Sequence, residues 1–202
     1  MDLVIATKNK KKLREIRELL RIPGLRFLSL ADYPRAPRII ENGKTFSENA
    51  AKKAIKIARY SGKLTLGEDS GLCVDALGGA PGIYSSRFSG RNKSDKQNNL
   101  KLLRLLKGQP RRRRKARYVC AVALADKGGL LAAAEGACPG VIAGAPKGSR
   151  GFGYDPLFLI PARKKTFAQL GEKIKHRMSH RYHALRKISR ILEKYIEQGR
   201  RY

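Results

Sequence analysis

Two acids stand side by side in Gly67-Glu68-Asp69-Ser70-Gly71-Leu72, in a chain that holds 45 Lys and Arg against 16 Asp and Glu. The run follows Leu64-Thr65-Leu66, which reads as the end of a strand, so the pair is expected on a tight, Gly-bounded turn. Carboxylates gathered at a strand end among basic residues suit a hard cation acting on an anionic substrate. An ordinary Asp-Ser-Gly turn closed by the Asp side chain accounts for the same residues.

Three other clusters bear on that choice. Thr7-Lys8-Asn9-Lys10-Lys11-Lys12 follows the apolar run Leu3-Val4-Ile5-Ala6 and opens a helical pattern at Leu13, Ile16, Leu19 and Leu20. A strand–turn–helix start offers free N–H groups and a positive helix end to a phosphate. Thr7 or Asn9 could equally be plain helix caps. Lysines in a first helical turn oppose the helix dipole, which an anion bound there would explain. Gly151-Phe152-Gly153-Tyr154-Asp155-Pro156 brackets an aromatic with glycines. Such a loop can project a ring and bring backbone close to a ligand, and a β-turn with a core Phe is the plainer alternative. Lastly, Lys175 precedes Ser179-His180-Arg181, where Ser179 suits an N-cap and two cations occupy a first helical turn. A capped surface helix would look the same.

Taken in order, these motifs resemble the inosine/xanthosine triphosphate pyrophosphatase family, also called Ham1-like. The likeness adds Glu41, Thr45-Phe46-Ser47-Glu48-Asn49-Ala50 with Lys53, and the run from Leu77 to Phe88. It covers nearly the whole chain. Two departures stand beside the last motif: His176 follows Lys175 where the family has Asn, and Lys173 and Ile174 replace acids. The resemblance implies Mg²⁺-dependent hydrolysis of nonstandard purine nucleoside triphosphates (ITP, dITP, XTP) to the monophosphate and pyrophosphate. It implies Mg²⁺ on Glu41 and Asp69, with Asp69 also the proton acceptor and Glu68 behind it. Lys12, Lys53 and Lys175 would neutralise the triphosphate, with Lys8, Lys10 and Lys11 beside it. Thr7, Asn9 and Ser70 would bond phosphate or sugar. Phe152 would stack on the base, and Gly153, Tyr154, Asp155, His180 and Arg181 would surround its edge. The family's fold is an elongated, two-lobed single domain with a central cleft, here spanning residues 1–202, and a homodimer.

The composition bounds the alternatives. A formal net charge of +29 attracts nucleotides, nucleic acids and acidic surfaces alike, so it does not choose among them. No run nears the roughly 18 apolar residues of a membrane span. The first strand begins within two residues, leaving no room for a signal peptide. Cys73, Cys120 and Cys138 are odd in number and lack paired metal spacing, which reads as buried thiols in a reducing cytoplasm. The run Arg111 to Lys115 reads as a solvated loop. Generic attraction to nucleic acid is expected of such charge, but no aromatic interleaves the run as in strand binders that stack bases. A nucleic-acid-binding protein that keeps the fold, or a pyrimidine triphosphate hydrolase, are the rival readings.

Strands and helices alternate behind these motifs. Leu25 to Leu30 suggests a second strand. Thr45 to about Tyr60 suggests a helix opened by a Thr45/Glu48 capping box. Ser94 and Gln97 repeat that signature before a leucine-rich helix that Gly108 and Pro110 end. Arg117 to Ala125 and Leu130 to Ala137 suggest a hairpin around Asp126-Lys127-Gly128-Gly129. A last helix carries Leu185, Ile188, Leu192 and Ile196 on one stripe. The expected class is α/β, a mixed twisted sheet flanked by helices.

Overall fold

A computed structural model describes residues 1–90 and 94–199. Seven strands form one mixed sheet in the order β2-β1-β3-β4-β5-β6-β7, flanked by helices. They are β1 (Asp2–Ile5), β2 (Arg26–Ser29), β3 (Thr65–Val74), β4 (Lys115–Asp126), β5 (Gly129–Ile142), β6 (Phe158–Ile160) and β7 (Lys165–Thr166). Strand β1 runs parallel to both β2 and β3, whereas β5, β6 and β7 pair antiparallel. The helices are α1 (Lys10–Leu19), α2 (Phe46–Ser61), α3 (Asp95–Leu105), α4 (Phe167–Leu170), α5 (Glu172–Lys175) and α6 (His180–Gly199). The expected α/β class is what the chain forms.

The chain gathers into two compact units. The first comprises Met1–Asp69, Cys120–Gly136 and Arg181–Tyr202, and the second Ser70–Val119 and Ala137–His180. In the first, the apolar run Leu3-Val4-Ile5 is buried throughout, as a parallel strand covered on both faces requires. Leu3, Ile5, Leu66, Val122 and Leu124 meet Ile16 and Leu20 from the α1 side and Ala184, Leu185, Ile188, Leu192 and Ile196 of α6. The stripe read from the last helix is therefore its core face. In the second unit Leu72, Val74, Tyr118, Ile142, Phe158 and Phe167 pack with Leu102 and Leu106.

Local signals set the element ends. Asn9 caps α1, its Oδ1 accepting from the N–H groups of Lys11 and Lys12 at 3.0 and 3.1 Å. Thr45 caps α2 by accepting from the Glu48 N–H at 3.1 Å. The expected reciprocal bond is displaced by one residue, because the Glu48 carboxylate accepts from the Lys44 N–H at 2.9 Å. Helix α2 ends at Gly62 in the left-handed region, φ +66°, where a residue without Cβ carries no strain.

Two expectations are corrected here. The Glu68-Asp69 pair does not sit on a turn, because β3 continues unbroken through it from Thr65 to Val74. Gly67 and Gly71 looked like turn residues, yet Gly67 serves close packing in a strand. The basic run is also not wholly a solvated loop. Arg111–Arg113 form an exposed 3₁₀ turn, but the Arg114 guanidinium donates to the carbonyls of Leu106, Gln109 and Ala143 at 2.8, 2.9 and 3.3 Å. It thus satisfies the carbonyl end of α3 where no further helical turn can.

Arg114→Gln is therefore expected to destabilise the protein by about 1–3 kcal/mol, since hydrogen bonds from a charged donor are lost at a helix end. Changing Arg111, Arg112 and Arg113 to Gln together is expected to leave stability within about 0.5 kcal/mol. Urea denaturation of the two variants checks the difference.

Candidate active site

The carboxylates of β3 are placed by a close approach of α2. A Cβ on Gly67 would collide with the Ala50 carbonyl oxygen and stand 2.7 Å from the Ala54 nitrogen. Only glycine lets the helix lie this near. The approach sets Asn49 and Lys53, one helical turn apart, over Asp69. Asn49 Nδ2 donates to Asp69 Oδ2 at 3.2 Å. Lys53 Nζ donates to Asp69 Oδ1 at 3.0 Å and to the Glu68 carbonyl at 3.1 Å.

Lys53 Nζ also lies 3.1 Å from Glu41 Oε1, so one ammonium joins the two carboxylates expected to hold a metal. Glu41 comes from a loop that α2 holds along its length. The Gly43 N–H donates to Asn49 Oδ1 at 2.8 Å, Lys52 Nζ to Asn42 Oδ1 at 2.9 Å, and Lys56 Nζ to the Arg38 carbonyl at 2.8 Å. Among the described residues no three His, Cys, Asp or Glu side chains form a metal-binding group.

Glu68 points into a different environment from its neighbour. Its carboxylate is buried completely, with Lys12 Nζ 2.9 Å from Oε2 and Arg181 Nη2 3.0 Å from Oε1. The Cys120 thiol donates to Oε1 at 3.4 Å. Arg181 in turn reaches Glu15 through Nη1. Burial pushes the Glu68 carboxyl up, but Lys12 and Arg181 outweigh it and hold it well below the usual range. For Asp69 burial prevails over Lys53 and Lys12, and the carboxyl is raised. Burial opposes the charge on Lys53, yet Asp69, Glu41 and Glu68 together raise its pKa. Adjacent carboxylates are thus driven in opposite directions.

The second unit holds the Phe152 loop. Asp155 is its post: Oδ2 accepts from the Phe152 N–H at 3.0 Å and from Lys175 Nζ at 2.7 Å, and Oδ1 accepts from the Tyr118 hydroxyl at 3.3 Å. Gly151, at φ +80°, has no room for a Cβ because Asp155 Oδ2 occupies that place. Lys175 Nζ also lies 4.6 Å from the Phe152 ring centroid, a cation–π contact that holds the ring. The loop is tied to α3, since the Gly153 N–H donates to Asp95 Oδ2 at 2.7 Å and its carbonyl accepts from Asn99 Nδ2 at 3.0 Å. His180 stacks on Tyr118 with ring centroids 4.6 Å apart.

Several of the expected residues are already engaged by protein partners. Tyr154 is buried and its hydroxyl donates to the Ser85 carbonyl at 2.8 Å. Asp155 and Lys175 are buried and bonded to each other. Arg181 is almost completely buried between two carboxylates. Asn9 Oδ1 is taken up as a cap, as one of its two readings allowed. Thr7 Oγ1 accepts from the Asn9 N–H at 3.2 Å. Lys8, Lys10 and Lys11 are exposed along the turn into α1, Lys12 is half-buried, and Ser70 is half-buried in β3. Sequence reasoning missed Glu15, Asn49, Tyr118 and Cys120. Glu15 lies three residues after Lys12, and Asn49 four before Lys53, spacings that share a helix face and could have exposed both.

A mixed α/β sheet with two adjacent carboxylates under ammonium groups, beside a cationic strand-to-helix turn, defines the class. The chain belongs to the Ham1 family, whose model matches residues 3–191. A relative from Desulforamulus reducens, named dITP/XTP pyrophosphatase, is 49% identical over 98% of this chain and 99% of its own length. One of the same name from Geobacter sulfurreducens is 49% identical over 91% and 92%. The solved structure of a HAM1 protein from Coxiella burnetii superposes with a TM-score of 0.87 at 38% identity, covering 96% of this chain and 99% of that one.

The opposed carboxylate environments predict an acid-stability test on the metal-free protein. The Glu68 pKa is depressed on folding, so its contribution is fully present above the ordinary Glu value of 4.5 and is lost as pH falls through the lower folded value. Glu68→Gln is expected to cost about 3–5 kcal/mol near neutrality, because it leaves buried cations short of charge. It should also flatten the fall in stability below pH 4.5. Urea unfolding across the acid range measures both.

Proposed function

We propose that the chain hydrolyses nonstandard purine nucleoside triphosphates of the dITP, ITP and XTP type between the α and β phosphates, releasing the monophosphate and pyrophosphate. The observation that carries this reading is the Glu68-Asp69 pair. One carboxylate is locked as a counter-ion to Lys12 and Arg181, and its neighbour is raised and held at one oxygen by Lys53. Such splitting is how adjacent acids take separate roles. The names borne by the relatives supply the substrate class.

In this reading Asp69 accepts the proton of the attacking water, while Asn49 and Lys53 fix its carboxylate. Glu41 and Asp69 would hold Mg²⁺. Two carboxylate donors fit that ion, which usually takes one or two together with water and substrate phosphates. Bound there, it would screen phosphate charge and favour ionisation of water. Lys12 and the cations at 8, 10 and 11 balance the triphosphate at the positive end of α1, whose N–H groups at Lys11 and Lys12 are already capped by Asn9. Thr7, Asn9 and Ser70 supply further hydrogen-bonding groups. Phe152 stacks on the base. Asp155 and Arg181 would read the base edge, and each already has a charged partner, Lys175 in one case and Glu15 and Glu68 in the other. A homodimer acting on the cytoplasmic nucleotide pool completes the reading.

Asp69→Asn is expected to lower turnover by about 10²- to 10⁴-fold, because the amide cannot take the proton. Pyrophosphate release from dITP, XTP, ATP and a pyrimidine triphosphate, with and without Mg²⁺, is the measurement. A rate within tenfold of the parent removes Asp69 from the chemistry.

Phe152→Ala is expected to lower kcat/KM for dITP and ATP by a similar factor, since stacking accepts any base. Arg181→Ala is expected to lower dITP more than ATP, because a site that bonds one base edge leaves its own groups unpaired with another. Equal losses in Arg181→Ala would assign Arg181 to holding Glu68 alone.

A further inference from the structure

The loop that presents Glu41 also forms one wall of a cavity on the outward side of α2. Its volume is about 450 Å³, and it is lined by Ile39, Ile40, Lys52, Ile55, Lys56 and Arg59. Its apolar part is three isoleucines, and Ile40 is 65% exposed. Its rim is three exposed cations. Lys52 and Lys56 each give a hydrogen bond to a neutral oxygen, Asn42 Oδ1 and the Arg38 carbonyl. An ammonium has three donors, so each can donate again. None of the three cations has a carboxylate partner among the described residues.

An apolar hollow with an uncompensated cationic rim leaves two unmet needs at one place. A carboxylate or sulfate head meets the second, and a saturated chain of modest length meets the first. A second copy of the chain, with a formal net charge of +29, would bring like charge toward this rim. A nucleic-acid backbone would leave the isoleucines uncovered.

We propose that this cavity binds a single-chain anionic amphiphile, with the chain against Ile39, Ile40 and Ile55 and the head group among Lys52, Lys56 and Arg59. The reading does not depend on the hydrolase assignment, since none of these six residues takes part in that chemistry.

Calorimetric titration with decanoate and decyltrimethylammonium below their micelle concentrations and decan-1-ol below its solubility limit, at about 0.15 M salt to screen the general field, tests it. Decanoate is expected to bind with one site, decanol more weakly, and the cation not at all. Reversing Lys52, Lys56 and Arg59 to Glu is expected to weaken decanoate binding by roughly tenfold or more, since several exposed charge contacts of up to about 1 kcal/mol each are lost. Because Lys52 and Lys56 also tether the loop, Ile40→Gln and Arg59→Glu are made separately, and each should weaken decanoate on a folded protein by circular dichroism. Reversal of Arg111–Arg113 should leave binding unchanged. Absence of decanoate binding, equal binding of decanol, or equal loss on reversing Arg111–Arg113 overturns the site.

Discussion

A carboxylate buried in the interior of a strand dictates much of the first unit. Glu68 has no exposure, and an isolated charge there would cost several kcal/mol or force protonation. The chain answers with partners from three other elements. Lys12 comes from the first turn of α1, Arg181 from the first turn of α6, and the Cys120 thiol from β4. Arg181 is itself too buried to carry its charge on one partner, and Glu15 supplies the second. Four segments far apart in sequence are thereby fixed to one another at a single carboxyl group. Among the cations that oppose the dipoles of α1 and α6, Lys12 and Arg181 are the two that neutralise this acid.

The neighbouring acid is governed by packing. Strand residues alternate between faces, so Glu68 and Asp69 must look in opposite directions once β3 runs straight through them. On the Asp69 side, α2 closes down because Gly67 has no side chain. The distance gained is what lets Lys53 reach Asp69, Glu41 and the Glu68 carbonyl together. A longer separation would leave Asp69 to water, with an ordinary pKa and no fixed orientation. The asymmetry between a depressed Glu68 and a raised Asp69 is thus a consequence of strand alternation plus one glycine.

Much of this was legible in the residue order. Apolar patterning placed β1, α1, α2, the β4–β5 hairpin and the α6 stripe, because a continuous apolar run marks a strand covered on both faces and a periodic one an element with a single buried face. The site residues were legible as motifs but their geometry was not. Glycine beside Asp and Ser reads as a turn by local chemistry, and nothing local to Gly67 announces a helix packed against it from residues 50 and 54. Tyr154, Asp155 and Lys175 were expected to face the ligand on the strength of the family resemblance. Tyr154 and Asp155 are bonded inside the protein by Ser85 and Tyr118, which lie tens of residues away. Arg114 illustrates the same limit: in a run of four arginines only a fold can say which one turns inward.

The charge balance follows from where the acids are spent. Of 16 acids, Glu15, Glu68, Asp69 and Asp155 are buried, although such residues are rarely buried at all. Each of them faces a lysine or arginine. Interior pairs are neutral overall, so they leave the excess of +29 to be carried outside. A surface so unbalanced repels itself, and the compact state bears that cost at low salt. The same field concentrates anions around every cationic recess without regard to which one reacts. Selectivity therefore cannot come from the field. It has to come from places where cations are held in register with something else: a carboxylate pair at Asp69, an aromatic ring at Phe152, or an apolar wall at Ile55.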